Sequence, residues 1–580
     1  MKKETIYRDH YCGEISKQDL TKHVKIAGWV ENIRDHGGVI FVDVRDETGV
    51  IQTVSDQTDI FLGLHRESSV TMEGTVIVRD DELTNPRLKT GDIELLVDKV
   101  QVIGECLPNL PFEVMTSKEI HEDLRLKYRY LDLRNEKVHS NIVFRSKVIK
   151  YLREKMDSLG FLEIQTPILT ASSPEGARDF IIPSRKFKGK FYALPQAPQQ
   201  FKQLLMVSGF DKYYQIAPCF RDEDARSDRS PGEFYQLDFE MAFVTQEDVL
   251  EVAEEVLYDT FSTFSTKKIL SKKFPRITYK ESMLKYGTDK PDLRNPLEII
   301  DLTPVFHNTT FKPFKNTTVR GIVIHDLVKT NSWYNDIVEF ATSIGMPGIG
   351  YIEVLKDMSF KGPIDKFLSS EERETLIETA KLKADSVIFF IADKKRYNEF
   401  ASKIRTKLGE KLDLIDKDSY AFCYVVDFPM YEFDDDEDKY VFMHNPFSMP
   451  QGGLEALKTQ KIEDIIAYQY DVVCNGIELS SGAIRNHDIK IMEEAFKIAG
   501  YTKEELMTRF KSLYQAFQYG APVHGGMAPG VDRMIMLLKD EESIKEVIAF
   551  PLASNGMDLM MSAPSEVSEL QLREVHIKLR

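Results

Sequence analysis

Five short apolar or alternating runs within residues 1–107 constrain the fold of this 580-residue chain more than any other feature. Turn-forming residues separate the runs, as in Asp35-His36-Gly37-Gly38. Short strands at even spacing, joined by Gly-containing turns, are typical of a small closed barrel. The sequence therefore predicts a five-stranded barrel of a type that commonly binds oligonucleotides. We expect its strands over residues 24–30, 39–44, 50–54, 70–78 and 93–103.

Composition narrows the class of protein. The chain is 42% hydrophobic and 29% charged, which is typical of globular domains, and its formal net charge is -17. That charge argues against a general polyanion-binding surface, although one local face can still bind RNA. The five cysteines are far apart and form no CxxC pair, so we predict neither a disulfide framework nor a zinc cluster. The N-terminal residues lack an apolar targeting segment, so we expect a cytoplasmic protein with no membrane or DNA partner.

The spacing of apolar residues and the positions of Pro and Gly divide the rest of the chain into predicted segments. A Pro-bearing, charged connector is expected over 108–138, followed by a helix whose apolar residues recur at helical spacing from Phe144 to Leu159 and which Gly160 ends. We expect a strand over 161–168, at a sheet edge or an interface because Pro167 would cost a ladder hydrogen bond. Residues 139–287 and 418–580 are predicted to form one domain, and residues 288–417 an α+β insertion between its two parts.

Residues 219–240 place charges of both signs between two segments with strand patterns. The turn chemistry is present at Ser230-Pro231-Gly232. Taken alone, this stretch is typical of an exposed charged hairpin. A function for it depends on the other motifs.

Residues 531–538 form a second motif, a helix that is apolar nearly all round but carries Arg533 in its first turn. A buried guanidinium without a partner costs several kcal/mol, so an anion is expected beside it. We expect Gly525, Gly526 and Gly530 to let the backbone approach that anion, which the helix N-terminus would favour. The alternative is a structural carboxylate paired with Arg533.

These motifs, in this order, resemble motifs two and three of class II aminoacyl-tRNA synthetases, and the helix and strand around Pro167 resemble motif one, the dimer element. Further segments, including 174–180, 193–202 and 129–134, are similar to the bacterial type of aspartyl-tRNA synthetases over essentially the whole chain. The resemblance implies a multidomain α+β fold. The chain would contain an N-terminal OB-type barrel, a catalytic domain on an antiparallel sheet and an inserted domain. It would also form a homodimer.

The resemblance also implies the reaction, which is adenylation of aspartate by ATP and transfer to the 3′ end of tRNA. Such a site aligns two anions and neutralises charge, so arginines and Mg²⁺ recur in it. Catalytic roles fall to Arg221, Glu223 and Arg533. Asp471 and Glu478 would hold Mg²⁺. ATP would contact Arg221, Asp222, Glu223, Ser230, Phe234, Glu478, Gly530, Val531, Asp532 and Arg533.

Aspartate and asparagine are nearly isosteric, so the family's discrimination is electrostatic. Lys202 and Arg485 match its clamp for the side-chain carboxylate. The amino acid would also contact Glu175, Gln199, Arg221, Asp238 and His444. Three positions depart from the family pattern without removing a catalytic charge, and these are Ala197, Ser230 and Asn445.

On the barrel, Phe41, Gln52 and Glu94 match the family's anticodon readers, in which an aromatic stacks on a base and polar groups read base edges. His36 occurs in relaxed members that charge both tRNA(Asp) and tRNA(Asn), whereas Glu82 stands where those members usually have Gly. We favour the relaxed form. The alternatives are a strictly discriminating synthetase, a non-catalytic tRNA-binding paralogue, and an amide-forming ligase built on the same core.

Overall fold

The computed structural model describes residues 4–172 and 177–580. The chain folds into two units, Met1–Glu113 and Val114–Arg580. In the described part of the chain, no helix is long and apolar enough to cross a membrane.

The first unit is a closed five-stranded barrel, as predicted. Its strands are β1 (His23–Asp35), β2 (Ile40–Asp46), β3 (Gly49–Ser55), β4 (Ser69–Val78) and β5 (Ile93–Gly104). The strand order is β1-β2-β3-β5-β4, and β4 pairs with β1 to close the barrel. Alternate side chains such as Ile26, Val44 and Met72 fill the interior, which is why the sequence shows a period of two.

The second unit begins with elements of the connector and the first part of its main sheet. They are α1 (Glu122–Lys127), α2 (Arg129–Asp132), α3 (Glu136–Ser158), β6 (Leu162–Glu163), β7 (Ile181–Pro183), β8 (Phe191–Ala193), α4 (Gln199–Val207), β9 (Lys212–Arg221), β10 (Gly232–Ala242), α5 (Gln246–Phe264), β11 (Lys268–Ile269), β12 (Arg276–Thr278) and α6 (Tyr279–Tyr286). The predicted helix is α3, and Gly160 follows it at φ +80°. The predicted strand is shorter than expected, because only Leu162 and Glu163 pair, with β9, and Pro167 lies beyond them.

An inserted five-stranded sheet follows, in the order β13-β14-β17-β15-β16. Its elements are β13 (Ile299–Asp301), β14 (Thr318–Ile324), α7 (Asn331–Ser343), β15 (Gly350–Val354), β16 (Phe360–Lys361), α8 (Ser370–Thr379), β17 (Ser386–Asp393) and α9 (Tyr397–Lys411). Central strand β17 is apolar on both faces. Phe389 packs with α7 and α9 in one core, and Phe390 packs with α8 in another.

The remaining elements complete the main sheet and the C-terminal region. They are β18 (Ser419–Tyr420), β19 (Phe422–Val426), β20 (Tyr431–Asp434), β21 (Lys439–Phe442), α10 (Gly453–Thr459), β22 (Gln469–Cys474), β23 (Ile477–Ile484), α11 (Ile489–Ile498), α12 (Lys503–Arg509), α13 (Lys511–Ala516), β24 (His524–Met527), α14 (Val531–Leu538) and α15 (Glu569–Glu574). Short 3-10 helices lie at Cys12–Glu14, Lys17–Asp19, Thr58–Phe61, Asp81–Leu83, Val114–Glu119, Asp365–Phe367, Ile462–Asp464, Phe517–Tyr519 and Ile544–Val547.

The main sheet has eight strands in the order β12-β19-β22-β23-β24-β10-β9-β6, with antiparallel pairing everywhere except at its two ends. Helices α3, α5 and α14 pack against one side through side chains such as Leu152, Leu257 and Ile535. The sheet therefore has one face buried by helices, and charged side chains gather on its strands β10, β22 and β23.

Candidate active site

The predicted charged hairpin is formed by β9 and β10, with Arg221 opposite Gly232 and Cys219 opposite Phe234. The Arg221 guanidinium lies 5.0 Å from the centroid of the Phe234 ring, and its Nε donates to the Gln196 carbonyl at 3.4 Å. This arrangement places a cation and an aromatic ring side by side at the end of the hairpin that carries the connecting loop.

The loop between β9 and β10 is held by its own charges. Glu223 pairs with Arg229 at 2.6 Å, and the Asp222 N–H donates to the Arg178 carbonyl at 3.1 Å. Ser230 is buried, and its hydroxyl donates to the Pro231 carbonyl at 3.4 Å. The loop is therefore a folded element rather than a freely solvated turn.

Strand β24 carries Gly525 and Gly526, and the structure shows a requirement for both that the sequence did not reveal. They lie in the sheet between β10 and β23, where a Cβ on Gly526 would lie 2.0 Å from the Phe239 carbonyl and one on Gly525 would lie 2.5 Å from Ile484 Cδ1. These glycines are needed for close strand packing. Gly530 is less crowded, because a Cβ added to it would lie no closer than 3.7 Å to a neighbouring atom.

Arg533 lies in the first turn of α14, half-buried at 24% side-chain exposure. It donates to the Glu478 carbonyl at 2.6 Å and to the Asp228 carbonyl at 3.0 Å, and its Nη2 lies 3.3 Å from Asp228 Oδ2. The guanidinium thus has a carboxylate partner from the charged loop. This contact is the alternative that the sequence left open.

Asp532, beside Arg533, is buried and paired within the protein. Its carboxylate contacts Arg145 and accepts the Tyr235 N–H at 2.9 Å. Asp532 therefore fixes α14 to α3 and β10. Val531 is also buried, and Gly530 bridges to Gln236 of β10.

The acidic pair Asp471 and Glu478 lies on neighbouring strands β22 and β23. Asp471 is 2% exposed, and its Oδ1 has no hydrogen-bond partner among the described residues. Burial, and then the nearby Glu478, raise the pKa of Asp471 well above its ordinary value. Glu478 Oε2 lies 3.3 Å from Lys290 Nζ. Within residues 4–172 and 177–580, no three or more His, Cys, Asp and Glu side chains form a complete metal site.

A buried cluster of four charges occupies the sheet near α4. Lys202 Nζ lies 2.7 Å from Asp238 Oδ1 and 3.2 Å from Glu240 Oε2. Arg485 donates through Nε to Glu240 Oε1 at 2.9 Å and through Nη2 to Oε2 at 3.2 Å. Burial raises the pKa of Asp238, whereas Arg485 and Lys202 overcome the burial of Glu240 and lower its pKa. Asp238 Oδ2 has no hydrogen-bond partner in the described chain.

Gln199 and a buried histidine extend this cluster. Gln199 donates to Gln203 at 3.2 Å, and Gln203 lies 3.2 Å from His524 Nε2. His524 Nδ1 donates to the Pro522 carbonyl at 2.8 Å, so Nε2 is the acceptor of a neutral ring. Burial lowers the pKa of His524 to about 4.

The other predicted amino-acid contacts are placed differently. His444 is exposed and packs edge-to-face on Phe428, with ring centroids 5.0 Å apart. Glu175 lies outside the described residues. Ala177 follows Glu175 closely in the sequence, and its backbone is held by the Gln196 side chain through hydrogen bonds of 2.8 and 3.2 Å.

Sequence reasoning missed Glu240, Gln196, Gln203, His524 and Lys290 as site residues. A signal existed for Glu240, because two carboxylates at i and i+2 of a buried strand share one face and need cations there. The others are brought to the site by contacts that no local spacing reveals.

On the barrel, the predicted readers Gln52 and Glu94 are in contact, with Gln52 Nε2 donating to Glu94 Oε2 at 2.7 Å. Arg34 donates to Gln52 Oε1 at 2.9 Å and pairs with Asp43 at 2.5 and 2.8 Å. Arg79 Nε lies 3.8 Å from Glu94 Oε2, and its buried Nη2 lacks a hydrogen-bond partner in the described chain. The sequence analysis did not identify Arg34, Asp43 or Arg79.

Phe41 is half-buried and lies opposite Arg34 across β1 and β2, outside the barrel core. His36, exposed in the β1–β2 turn, lies edge-on to Phe41, with ring centroids 5.7 Å apart. Glu82 is exposed in the connection between β4 and β5. The structure thus brings Phe41, His36, Gln52 and Glu94 to neighbouring strands and turns, and among the described residues it shows no contact for Glu82 with them.

An OB-type barrel and a mainly antiparallel sheet with buried paired charges give the chain a multidomain α+β architecture. The family model described as tRNA synthetases class II (D, K and N) matches residues 121–554, and that of the OB-fold nucleic acid binding domain matches residues 24–103. The chain belongs to the class II tRNA synthetases of the D, K and N group.

Curated relatives match the full length. The chain is 52% identical over 586 residues to the aspartate–tRNA(Asp/Asn) ligase of Ehrlichia chaffeensis, covering 99% of both chains. It is 51% identical to the enzyme of the same name from Rickettsia felis, covering 99% of this chain and 98% of the relative.

Solved structures share the fold at lower identity. Asparaginyl-tRNA synthetase from Pyrococcus horikoshii, complexed with asparaginyl-adenylate, matches with a TM-score of 0.58 and 19% identity over 94% of this chain and 98% of that one. Aspartyl-tRNA synthetase from Entamoeba histolytica matches with a TM-score of 0.57 and 18% identity over 95% of this chain and 91% of that one.

Proposed function

We propose that this protein is an aspartate–tRNA ligase that activates L-aspartate with ATP and transfers it to the 3′ end of tRNA(Asp) and tRNA(Asn). The observation that carries the proposal is the buried cluster of Lys202, Arg485, Asp238 and Glu240, which supplies two fixed cations beside an unpartnered carboxylate oxygen of the described chain. The names of the relatives that match the chain over its whole length agree with it.

In the first step, the α-carboxylate of aspartate attacks the α-phosphorus of ATP and pyrophosphate leaves. This reaction needs alignment of two anions and neutralisation of developing charge. We assign Arg221 to the α-phosphate and the reacting carboxylate, with Phe234 stacking on the adenine and Glu223 on the adenine side. Arg533, at the N-terminus of α14, binds the γ-phosphate after exchanging Asp228 for it. Asp222, Ser230, Gly530, Val531 and Asp532 line the nucleotide through their backbone.

Asp471 and Glu478 fit a divalent cation, because Asp471 Oδ1 is a buried carboxyl oxygen with no hydrogen-bond partner among the described residues, and a bound cation would favour the ionised form of that carboxyl. With only two carboxylates in the pair, the phosphates of ATP would supply further ligands to Mg²⁺. When bound, Mg²⁺ neutralises phosphate charge during the displacement. Arg533 donates to the Glu478 carbonyl and so holds the strand that carries this ligand.

The amino acid is selected by charge. We assign the side-chain carboxylate of aspartate to Lys202 and Arg485, and its ammonium group to Asp238 Oδ2, with Gln199, His444 and Glu175 around them. Asparagine would turn amide N–H donors toward Lys202 and Arg485 and would lose the charge-assisted hydrogen bonds that the aspartate carboxylate accepts, at a cost of about 2–5 kcal/mol. No editing step is needed for that discrimination.

The barrel would bind the anticodon loop. Phe41 is the half-exposed aromatic on which an unpaired base can stack, and Gln52 and Glu94 offer polar groups to base edges. The turn that carries His36 lies against Phe41. We propose that His36 permits both tRNA(Asp) and tRNA(Asn), with Glu82 as a second position that tunes this choice.

We further propose that the protein forms a homodimer. We also propose a cytoplasmic location, because tRNA charging supplies cytosolic translation. The proposed domain boundaries are 1–107, 108–138, 139–287, 288–417 and 418–580. Exposed apolar side chains after α3 support the dimer, and they include Leu162, Ile168 and Leu169. Sedimentation of Ile168→Asp checks it, since a monomer is the expected result.

The experiment that tests the activity is ATP–pyrophosphate exchange without tRNA. We expect exchange with aspartate, little with asparagine, and loss of exchange on Arg533→Ala. Exchange that Arg533→Ala leaves unchanged would refute the phosphate role. No exchange by the wild-type protein, together with tRNA binding, would indicate the non-catalytic paralogue instead.

A further inference from the structure

The acidic pair Asp471 and Glu478 has a positively charged neighbour in the chain itself, the side chain of Lys290. Lys290 Nζ lies 3.3 Å from Glu478 Oε2 and 2.6 Å from Asp289 Oδ2. Arg533 Nη1 lies 4.0 Å from the other Glu478 oxygen. Lys290 belongs to none of the motifs above, and no role in the proposed reaction uses it.

The position of Lys290 is fixed by the segment that carries it. Gly476, in the turn between β22 and β23, lies beside this segment, since a Cβ added to it would be in van der Waals contact with Asp292 Cβ at 3.4 Å and with the Lys290 carbonyl at 3.8 Å. From the inserted domain, Arg405 donates to the carbonyls of Asp292 at 3.0 Å and Asn295 at 2.6 Å. The backbone is therefore held by contacts on both sides, whereas the Lys290 side chain is 37% exposed.

The carboxyl oxygens around Lys290 do not all have a hydrogen-bond partner among the described residues. Lys290 contacts Glu478 and Asp289, but the buried Asp471 Oδ1 has no hydrogen-bond partner in the described chain. A divalent cation that reaches Asp471 and Glu478 together would satisfy that oxygen. It would also place a divalent charge beside the Lys290 ammonium, which lies 3.3 Å from Glu478 Oε2, and the added repulsion would favour movement of that ammonium away from Glu478.

We propose that Lys290 is the resident counter-ion of Glu478, which neutralises this carboxylate while no divalent cation is bound and is displaced when one binds. The inference rests on the proposed metal role of Asp471 and Glu478. Lys290 thereby weakens binding of the metal alone. ATP offers the displaced ammonium new anionic partners, so the exchange couples metal binding to nucleotide binding.

The test measures binding of Mn²⁺ alone to the full-length protein without nucleotide, by the electron paramagnetic resonance signal of free Mn²⁺. Lys290→Met should lower the dissociation constant for Mn²⁺ about tenfold, since one competing charge is removed from a partly screened site. Lys290→Arg should bind within about twofold of wild type, because it retains the charge. Lys285→Met is the matched control, since Lys285 pairs with Glu281 on α6 at 2.9 Å and should leave Mn²⁺ binding unchanged.

Two further variants separate the possible failures. Asp471→Asn should weaken Mn²⁺ binding at least about tenfold. If Asp471→Asn binds like wild type, the metal role of the pair is wrong and the inference falls with it. If Asp471→Asn loses Mn²⁺ but Lys290→Met binds no tighter than wild type, only the counter-ion role is overturned. Lys290→Gln, measured alongside a melting curve, replaces Lys290→Met if the latter does not fold.

Discussion

Lys202 Nζ lies 3.2 Å from Glu240 Oε2, and both side chains are buried. The opposite Glu240 oxygen accepts from Arg485, so one carboxylate holds two cations in place before any ligand binds. A pair of unneutralised buried cations would be costly, and Glu240 removes that cost. The two cations are therefore fixed in position, as the proposed binding of the aspartate side-chain carboxylate requires.

Lys202→Met should lower kcat/KM for aspartate about 100- to 1,000-fold, because truncating one member of a buried charge pair costs about 2–5 kcal/mol. The KM for ATP should change little. Steady-state pyrophosphate exchange measures both. Lys188→Met, at an exposed lysine, is the control for loss of charge. Equal losses for aspartate and ATP, with a lowered melting temperature, would indicate a structural defect rather than a carboxylate contact.

Asp228→Ala should tighten ATP binding about two- to fivefold, because the carboxylate that competes for Arg533 is removed and a partly exposed ion pair contributes no more than about 1 kcal/mol. The Asp228 carbonyl contact to Arg533 remains. Titration calorimetry with ATP measures the effect. Weaker ATP binding would mean that Asp228 supports the loop instead of occupying the phosphate position.

His524 predicts a pH dependence of stability. Burial lowers its pKa to about 4 from an ordinary 6.5, so the folded state favours the neutral ring. The stability that the neutral His524 ring contributes is fully present above pH 6.5. It is lost as the pH falls toward 4, because the unfolded chain then binds a proton that the folded state does not. Between pH 7 and 5 the wild type should lose about 2 kcal/mol of stability relative to His524→Gln. Urea unfolding at both pH values tests this, and parallel losses in the two proteins would contradict it.

Gly526→Ala should destabilise the catalytic unit by about 3 kcal/mol or more, since the added Cβ would lie 2.0 Å from a backbone oxygen of the neighbouring strand. Gly530→Ala should change stability by less than about 0.5 kcal/mol, because its added Cβ meets nothing closer than 3.7 Å. Thermal unfolding of both variants compares them. A normal melting temperature for Gly526→Ala would show that the strands separate easily at this position.

The elements that the sequence predicted are those with a local period. The barrel strands alternate along the chain, and α3 repeats its apolar residues every three to four positions, so both were predicted from the chain alone. The strand near Pro167 was predicted too long, because an apolar run does not reveal where pairing ends.

The charged residues of the site were predicted where a motif carries them, as for Arg221, Asp238 and Arg533. The partners that fix them were missed because they are distant in sequence. Glu240 looks like one more strand residue, and Lys290 contacts Glu478 although the two residues are far apart in the sequence. The close packing at Gly526 likewise depends on a neighbouring strand that no local pattern specifies.

The most direct test of the proposed function is charging of labelled aspartate onto separate tRNA(Asp) and tRNA(Asn) transcripts by the purified protein. We predict comparable charging of both, with His36 as the first residue whose substitution should reduce charging of tRNA(Asn). Charging of tRNA(Asp) alone would contradict the relaxed specificity and direct attention to Glu82. Charging of neither transcript would contradict the aspartate–tRNA ligase activity itself.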